Sequence, residues 1–402
     1  MNIREYPLNL LTDYIIDTCG IDNKTKYTVE EVPARSLLNS TRFDLMAKWI
    51  YIDALEHGTD MSLAKAIYED NIRAFSSGTF IEPGKEDKDA LNKYYYDFNK
   101  IIEDIKENGF NSAESIIPLG CNGEIFDGAH RVSAAAYFNK NVTVVKFQDI
   151  KPNSEYDYKF FTRYLMSTEN MGHMANAYAQ VMPNCYMACV WPVADRKKLG
   201  VIEDIISEVG TIVYGQDVYL TYTGIRNFMV KIYGHQSWTG TPENGYSGVD
   251  EKARACYYKK NPVRSYLFQA DSLDDVISAK AKIRNIFELE NHSIHISDSS
   301  EETRNMAQIL YKRENVENIN FNDLYRKKGA SQMNVFSRSI PYGEFYVPRS
   351  YRYDVLEKMQ KKQLEQNRFG SGTTDYKEFL IRQIKDFVKM PLNIINKKDS
   401  RG

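Results

Sequence analysis

The sequence feature that most constrains the fold is the run IIPLGCNGEIFDGAHRVSAAAY at residues 116–137. An apolar start meets a glycine turn at 121–123, residues 124–126 predict a short strand, and the alanine-rich end predicts a helix over 132–137. Gly128 stands between strand and helix, where a residue without a Cβ lets the backbone turn sharply and approach a ligand. A buried strand is predicted at 142–147, so a small mixed α/β domain is expected here.

The start of this helix is the first candidate site. The first turn of a helix leaves N–H groups unpaired and carries positive partial charge. Gly128, Ala129, His130 and Arg131 form this turn, and the Arg131 guanidinium adds donors suited to phosphate. The pattern predicts a phosphate-binding turn. The alternative is that Asp127 caps the helix and Arg131 is an ordinary surface arginine.

A second group of charged residues lies at the start of a long helical pattern. Apolar residues recur at helical spacing from Leu45 to Leu55, and Arg42, Asp44 and Lys48 stand at its beginning. Asp44 and Lys48 are one helical turn apart and share a face. We interpret Arg42 and Lys48 as groups that offset phosphate charge and Asp44 as a base or a metal-directed carboxylate. The alternative is a solvated ion pair.

The run GEIFDGAHRVSAAAYF at 123–138 resembles the nucleotide-binding signature of the ParB/sulfiredoxin fold, and its Asp-Gly-Ala-His-Arg turn resembles that of the fold's free-serine kinases. The resemblance covers residues 27–150. It implies a kinase that uses ATP or ADP, with CTP as an alternative, and transfers a phosphoryl group to a hydroxyl. Mg²⁺ is expected, held by the nucleotide phosphates and one carboxylate such as Asp127 or Asp44.

The resemblance leaves the general base open. The fold's kinases carry a glutamate after the first strand, whereas residues 39–41 of this chain are Asn-Ser-Thr. Asp44, or Glu82 in the loop at 80–85, is a candidate for that role, with Asp127 and His130 completing the catalytic set. The whole pattern also resembles proteins that accompany bacterial surface-polysaccharide synthesis, which implies a sugar, polyol or amino-alcohol acceptor.

Length and composition bound the organisation. The 402 residues predict a nucleotide-binding domain at 1–150, a second α/β domain at 151–321 and a C-terminal extension at 322–402. A net charge of -2 argues against a protein that mainly binds bulk nucleic acid. Five cysteines without paired spacing favour a reducing compartment. The sequence shows neither a signal pattern nor a membrane-spanning run, so we expect a cytoplasmic protein.

The second α/β domain carries its own candidate site. A predicted strand at 293–296 ends just before a helix, and ligands of open α/β sheets bind at the carboxyl ends of strands. Lys252, Lys280, Arg284, His295 and Asp298 would then form a polar mouth for a phosphate or a sugar. A metal bound at 292, 295 and 298 is disfavoured, because residues three apart on a strand point to opposite faces. The alternative is a capping Asp298 and structural histidines.

The sequence leaves two other functions open. A ParB-like nucleotide switch would bind DNA through the helices predicted at 156–165 and 171–181, which contain few basic residues. A two-headed enzyme would pair the kinase with a nucleotidyltransferase in the second domain. In the C-terminal extension, a strand is predicted at 343–350 and helices at 354–367 and 376–389. The last helix is basic and amphipathic, and it would dock on this protein, a partner or an anionic membrane.

Overall fold

Two separate sheets organise this chain in the computed structural model, which describes residues 5–82, 84, 88–152, 155–322 and 324–325. The first sheet has three strands, β1 (Tyr27–Pro33), β2 (Ile117–Leu119) and β3 (Asn141–Phe147). Their order is β1-β3-β2, with β1 antiparallel and β2 parallel to the central β3. The mixed α/β class predicted from the sequence is confirmed.

Five helices accompany the first sheet: α1 (Asp13–Cys19), α2 (Leu45–His57), α3 (Met61–Phe75), α4 (Leu91–Asn108) and α5 (Ala129–Tyr137). The strand predicted at 124–126 is wrong. Only a single bridge, Leu119 with Ile125, forms there. The strand pairing stays short because the chain turns tightly, with the Gly120 amide donating to the Glu124 carbonyl. Directly after Phe126 the chain enters the turn that leads into α5.

The second sheet has four strands, β4 (Cys185–Val190), β5 (Thr211–Val218), β6 (Val263–Gln269) and β7 (Ile294–Ile296). Their order is β5-β6-β4-β7, and every neighbouring pair is antiparallel. The helices of this part are α6 (Tyr158–Arg163), α7 (Thr168–Val181), α8 (Leu199–Val209), α9 (Tyr222–Tyr233), α10 (Ser247–Cys256), α11 (Leu273–Phe287), α12 (Ser300–Leu310) and α13 (Arg313–Phe321). With α9 and α10 inserted between β5 and β6, this is the split βαβ arrangement of ferredoxin-like folds.

Two details of this sheet differ from the sequence-based expectations. Alternating residues at 211–214 and 218–221 predict two strands. This prediction is wrong, because a single strand, β5, continues to Val218 with an irregularity between Ile212 and Tyr214. Thr221 is instead the N-cap residue of α9, and its side chain accepts a hydrogen bond from the Gly224 amide. In an antiparallel sheet, neighbouring strands end on opposite edges. The carboxyl ends of the strands therefore do not meet at one edge, as an open α/β sheet would have required.

The two faces of the second sheet pack against different partners. Alternate residues of β4 point to opposite sides, as strand geometry requires. Tyr186 and Ala188 pack with α8 and α11 on one face, whereas Met187 and Cys189 belong to a larger core that continues into α2, α3 and α5 of the first part. One hydrophobic core therefore connects both sheets.

The predicted strand at 343–350 and the predicted helices at 354–367 and 376–389 lie outside the described residues, as does most of the loop after Glu82. Within the described part of the chain, every helix is too short or too polar to cross a bilayer.

Candidate functional site

The turn before α5 adopts a conformation that glycine favours. Gly128 has a φ of +94° and immediately precedes the first residue of α5, Ala129. A Cβ at this position would lie 2.6 Å from Cδ1 of Ile117 and 3.1 Å from Nη2 of Arg131. The backbone of the turn is thus in close contact with both side chains, and Gly128 permits that contact.

Arg131 folds back over this turn. Its Nη2 donates to Oδ2 of Asp127 over 3.1 Å, and its Nη1 donates to the hydroxyl of Ser115. Both members of the ion pair stay partly accessible, with 25% of the Arg131 and 32% of the Asp127 side chain exposed. Asp127 does not cap the helix, because the residue at the N-cap is Gly128. The pair leaves a guanidinium and a carboxylate beside the first amides of α5.

A buried charge network lies behind the turn. Asp44 accepts from Nε and Nη2 of Arg42 and from Nζ of Lys48, over 2.9 to 3.1 Å. Lys48 also donates to Oδ1 of Asn71 over 3.2 Å. All of these side chains are buried, so the alternative of a solvated ion pair is wrong. Burial favours a raised pKa of Asp44, but the charges of Arg42 and Lys48 outweigh it and hold that pKa well below its usual range.

Arg42 connects this network to the turn. Its Nη1 donates to the carbonyl of Ile125 over 2.8 Å, across 83 residues of sequence. Burial lowers the pKa of Arg42, but Asp44 and, more weakly, Tyr156 and Asp127 raise it above its ordinary value. The Asp127 carboxylate is therefore within electrostatic range of the buried guanidinium.

An aromatic and charged cluster forms the other side of the turn. Nε2 of His130 lies 2.9 Å from the hydroxyl of Tyr68, and its ring packs edge-on against Phe98. Glu82 pairs with the buried ammonium of Lys88 over 2.7 Å. Burial raises the pKa of Tyr68, and the charge of Glu82 adds to that rise. The Glu82 carboxylate is therefore within electrostatic range of the Tyr68 hydroxyl.

Three distant segments therefore converge on the start of α5. They supply the nine residues predicted for the first site, which are Arg42, Asp44, Lys48, Glu82, Asp127, Gly128, Ala129, His130 and Arg131. The partly exposed members form the turn itself, whereas Arg42, Asp44 and Lys48 lie buried behind it. Sequence reasoning missed Tyr68, Lys88 and Ser115. For Tyr68 the sequence offers one signal: the segment 61–75 reads as a helix, and Tyr68 and Asn71 share a face of it.

A second polar site lies on the other sheet. An open cleft of about 590 Å³ is lined by one face of α11 and by the segments that flank β7, through Ile277, Lys280, Ala281, Arg284, Asn285, Glu290, Asn291 and Asp298. Nζ of Lys280 donates to the Ile296 carbonyl over 2.7 Å and to Oδ1 of Asp298 over 3.0 Å. Lys252 joins the rim, because its Nζ donates to the Asn291 carbonyl over 3.0 Å.

His295 lies behind this cleft and does not open into it. Its Nε2 is 2.9 Å from Oε1 of Glu302, whose Oε2 accepts from the Asp298 amide. Burial lowers the pKa of His295, although Glu302 opposes that shift. The N-cap of α12 is Ser299, so Asp298 does not cap the helix. Among the described residues no group of three metal-ligating side chains occurs, here or at the first site.

The arrangement therefore comprises two chemically distinct places, a helix-start turn with an exposed Arg131–Asp127 pair and a cationic cleft against α11. Comparison of this chain with protein-family models and with curated proteins gives no match.

Proposed function

We propose that this protein is a nucleotide-dependent kinase that transfers a phosphoryl group to a hydroxyl of a small molecule, and that the turn before α5 binds the nucleotide phosphates. One observation carries the proposal. Arg42 bonds the Ile125 carbonyl while Arg131 folds onto Asp127, so two guanidinium groups flank the bend at Gly128. Unpaired amides at a helix start and nearby guanidinium groups are the donors that bind phosphate oxygens.

In this proposal the exposed residues of the turn make the direct contacts. The first amides of α5 bind phosphate oxygens, and Arg131 exchanges its contact with Asp127 for one with the nucleotide. Asp127 is then free to hold Mg²⁺. A single carboxylate fits this ion, because Mg²⁺ in phosphoryl-transfer sites is bound by one or two carboxylates, by phosphates and by water. Bound there, Mg²⁺ would neutralise charge on the transferred phosphoryl group.

The general base is better sought at the partly exposed Glu82 than in the buried network. Asp44 already accepts hydrogen bonds from two buried cations, and its lowered pKa makes it a poor proton acceptor. We therefore assign Asp44 to the positioning of Arg42. Glu82, which is partly exposed and within electrostatic range of Tyr68, is the preferred candidate to take the proton of an acceptor hydroxyl.

The acceptor class rests on the sequence resemblance to the free-serine kinases of the ParB/sulfiredoxin fold and to proteins that accompany surface-polysaccharide synthesis. It comprises sugars, polyols and amino alcohols. The alternative of a DNA-binding switch receives less support, because eight residues of α7, including Asn170 and His173, are buried and unavailable to a groove. A two-domain enzyme, with a kinase followed by a nucleotidyltransferase, remains an alternative, and the cleft against α11 is the reason for it.

Isothermal titration of ATP, ADP and CTP, with and without Mg²⁺, tests the proposal. We expect one nucleotide to bind in a Mg²⁺-dependent way and Arg131→Ala to weaken its binding at least about tenfold, since a charged hydrogen bond to phosphate is lost. Arg196→Ala is the matched control, because Arg196 forms a similarly exposed ion pair with Asp217. ³¹P NMR with pooled polyols and amino alcohols then detects transfer. Absence of nucleotide binding, or equal losses in both variants, would overturn the proposal.

A further inference from the structure

We propose that the cleft between α11 and the segments flanking β7 is a second anion site, which binds the phosphate group of a phosphorylated small molecule. The site is separate from the turn before α5, and the inference does not depend on the proposed kinase activity. It rests on three cationic side chains, on the shape of the cleft and on how few carboxylates those cations contact.

The cations lie close enough to repel one another. Burial lowers the pKa of Lys252, Cys256 opposes that shift, and the charges of Arg284 and Lys280 lower the pKa further. Three like charges around one cleft store electrostatic energy that a bound dianion would relieve. A phosphate monoester, which carries nearly two negative charges at neutral pH, is a matching ligand.

The bonding of these cations is incomplete without a ligand. Within the described ranges, no carboxylate lies within ion-pair distance of Lys252 or Arg284, and Nε of Arg284 is buried without a hydrogen-bond partner. Lys280 has one carboxylate partner, Asp298, whose side chain is 61% exposed. The other acid of the cleft is the exposed Glu290 at its mouth. A guanidinium with an unused buried N–H and an ammonium whose one carboxylate partner is exposed are suited to bind phosphate oxygens.

Hydrogen bonds and aromatic contacts behind the cleft fix its shape. Glu302 bonds both His295 and the Asp298 amide, which fixes the chain as it leaves β7. On the side of Lys252, the ammonium lies 5.5 Å from the ring centre of Tyr233, which in turn packs 5.6 Å from Trp238. Trp238 is 43% exposed, so an aromatic surface is available next to the cations for the ring of a sugar or of a nucleoside.

The side chain of Asp298 competes with the proposed ligand for Lys280. This gives the site a signature that a general basic patch would lack. Loss of a cation must weaken anion binding, whereas Asp298→Asn must strengthen it, by roughly threefold, since the energy of an exposed ion pair is modest. The exposed position of Asp298 means that its replacement leaves the fold intact.

The experiment uses the full chain carrying Arg131→Ala, so that the proposed nucleotide turn contributes little. Titration with inorganic pyrophosphate, glucose 1-phosphate and CMP is followed by heat and by intrinsic tryptophan fluorescence. Of the three tryptophans, Trp49 and Trp191 are buried and Trp238 is exposed, so a ligand at the cleft acts on the signal through Trp238. Preference for one organic phosphate over pyrophosphate identifies the ring that the aromatic surface accepts.

We expect Arg284→Ala to weaken binding at least about tenfold and Asp298→Asn to tighten it. The matched control is Lys282→Ala, because Lys282 lies on α11, is exposed and pairs with Glu208 outside the cleft. The control should leave the affinity within about twofold. Absence of binding, equal losses at 282 and 284, or weaker binding by Asp298→Asn would overturn the proposal.

Discussion

The conformation of Gly128 makes a quantitative prediction about stability and binding. Gly128→Ala places a Cβ where the left-handed backbone costs an L-residue about 1–2 kcal/mol. The same Cβ would lie 2.6 Å from Cδ1 of Ile117, a fully buried side chain, and such overpacking adds about 1–3 kcal/mol. The free energy of unfolding should therefore fall by about 2–5 kcal/mol in total.

Gly58→Ala separates the two contributions. Gly58 also has a positive φ, of +62°, but nothing lies within 4 Å of a Cβ built on it. Its replacement should cost the backbone term alone, about 1–2 kcal/mol. Urea unfolding of both variants measures the difference. Equal losses would refute the close approach at Gly128.

The nucleotide affinity of the same two variants tests the site. The added Cβ at position 128 would also lie 3.1 Å from Nη2 of Arg131 and displace that guanidinium. We expect Gly128→Ala to weaken nucleotide binding and Gly58→Ala, which lies at the far end of α2, to leave it unchanged. Unaltered affinity in a folded Gly128→Ala protein would refute the role given to this turn.

Two buried carboxylates give further predictions. Because the pKa of Asp44 is lowered in the folded state, its stabilisation is complete above the unfolded-state value near 3.9 and is lost as pH falls below it. Asp44→Asn should lower the free energy of unfolding at neutral pH by roughly 3–5 kcal/mol and flatten the acid limb of its pH profile, both measured by urea titration. Asp70 accepts hydrogen bonds from Arg73, the Ser167 amide and Asn170. Asp70→Ala should cost about 3–5 kcal/mol. Asp89→Ala should leave the free energy of unfolding nearly unchanged in the same assay, because the Asp89 side chain is 55% exposed and pairs with Lys93 at the surface.

Elements with strong local signals could be predicted from the sequence. The sequence predicts a helix at 61–75 and a strand at 263–269, and the structure has both with these bounds. The sequence also predicts helix caps at Ser272 and at either Ser299 or Ser300, and the hydroxyls of Ser272 and Ser299 accept hydrogen bonds from the amides of Asp275 and Glu302. The spacing of apolar residues and the capping of a helix both depend on a few neighbouring residues. They can therefore be predicted without knowledge of the rest of the chain.

Properties that depend on distant partners could not be predicted in the same way. Charge and helical spacing leave a solvated Asp44–Lys48 pair as an open alternative. Both groups are nevertheless buried, and Lys48 donates there to Asn71 of another helix, a partner that the local sequence does not reveal. The bond from Arg42 to the Ile125 carbonyl has no local signature. The antiparallel order of the second sheet likewise depends on which strands pair across long separations, and the helical segments between them suggested an open α/β sheet instead.

The position of the first site depends on residues beyond the predicted boundary near 150. Phe43, between Arg42 and Asp44, stacks on Tyr214 of β5 with ring centres 5.9 Å apart. Its amide donates to the Tyr156 carbonyl, and the ring of Tyr156 lies 5.3 Å from the Arg42 guanidinium. Removal of the second half would therefore expose Phe43 and release Arg42, so loss of nucleotide binding in a truncated chain would not locate the site. The single-residue variants in the full chain do locate it, since each changes one contact and leaves this shared core in place.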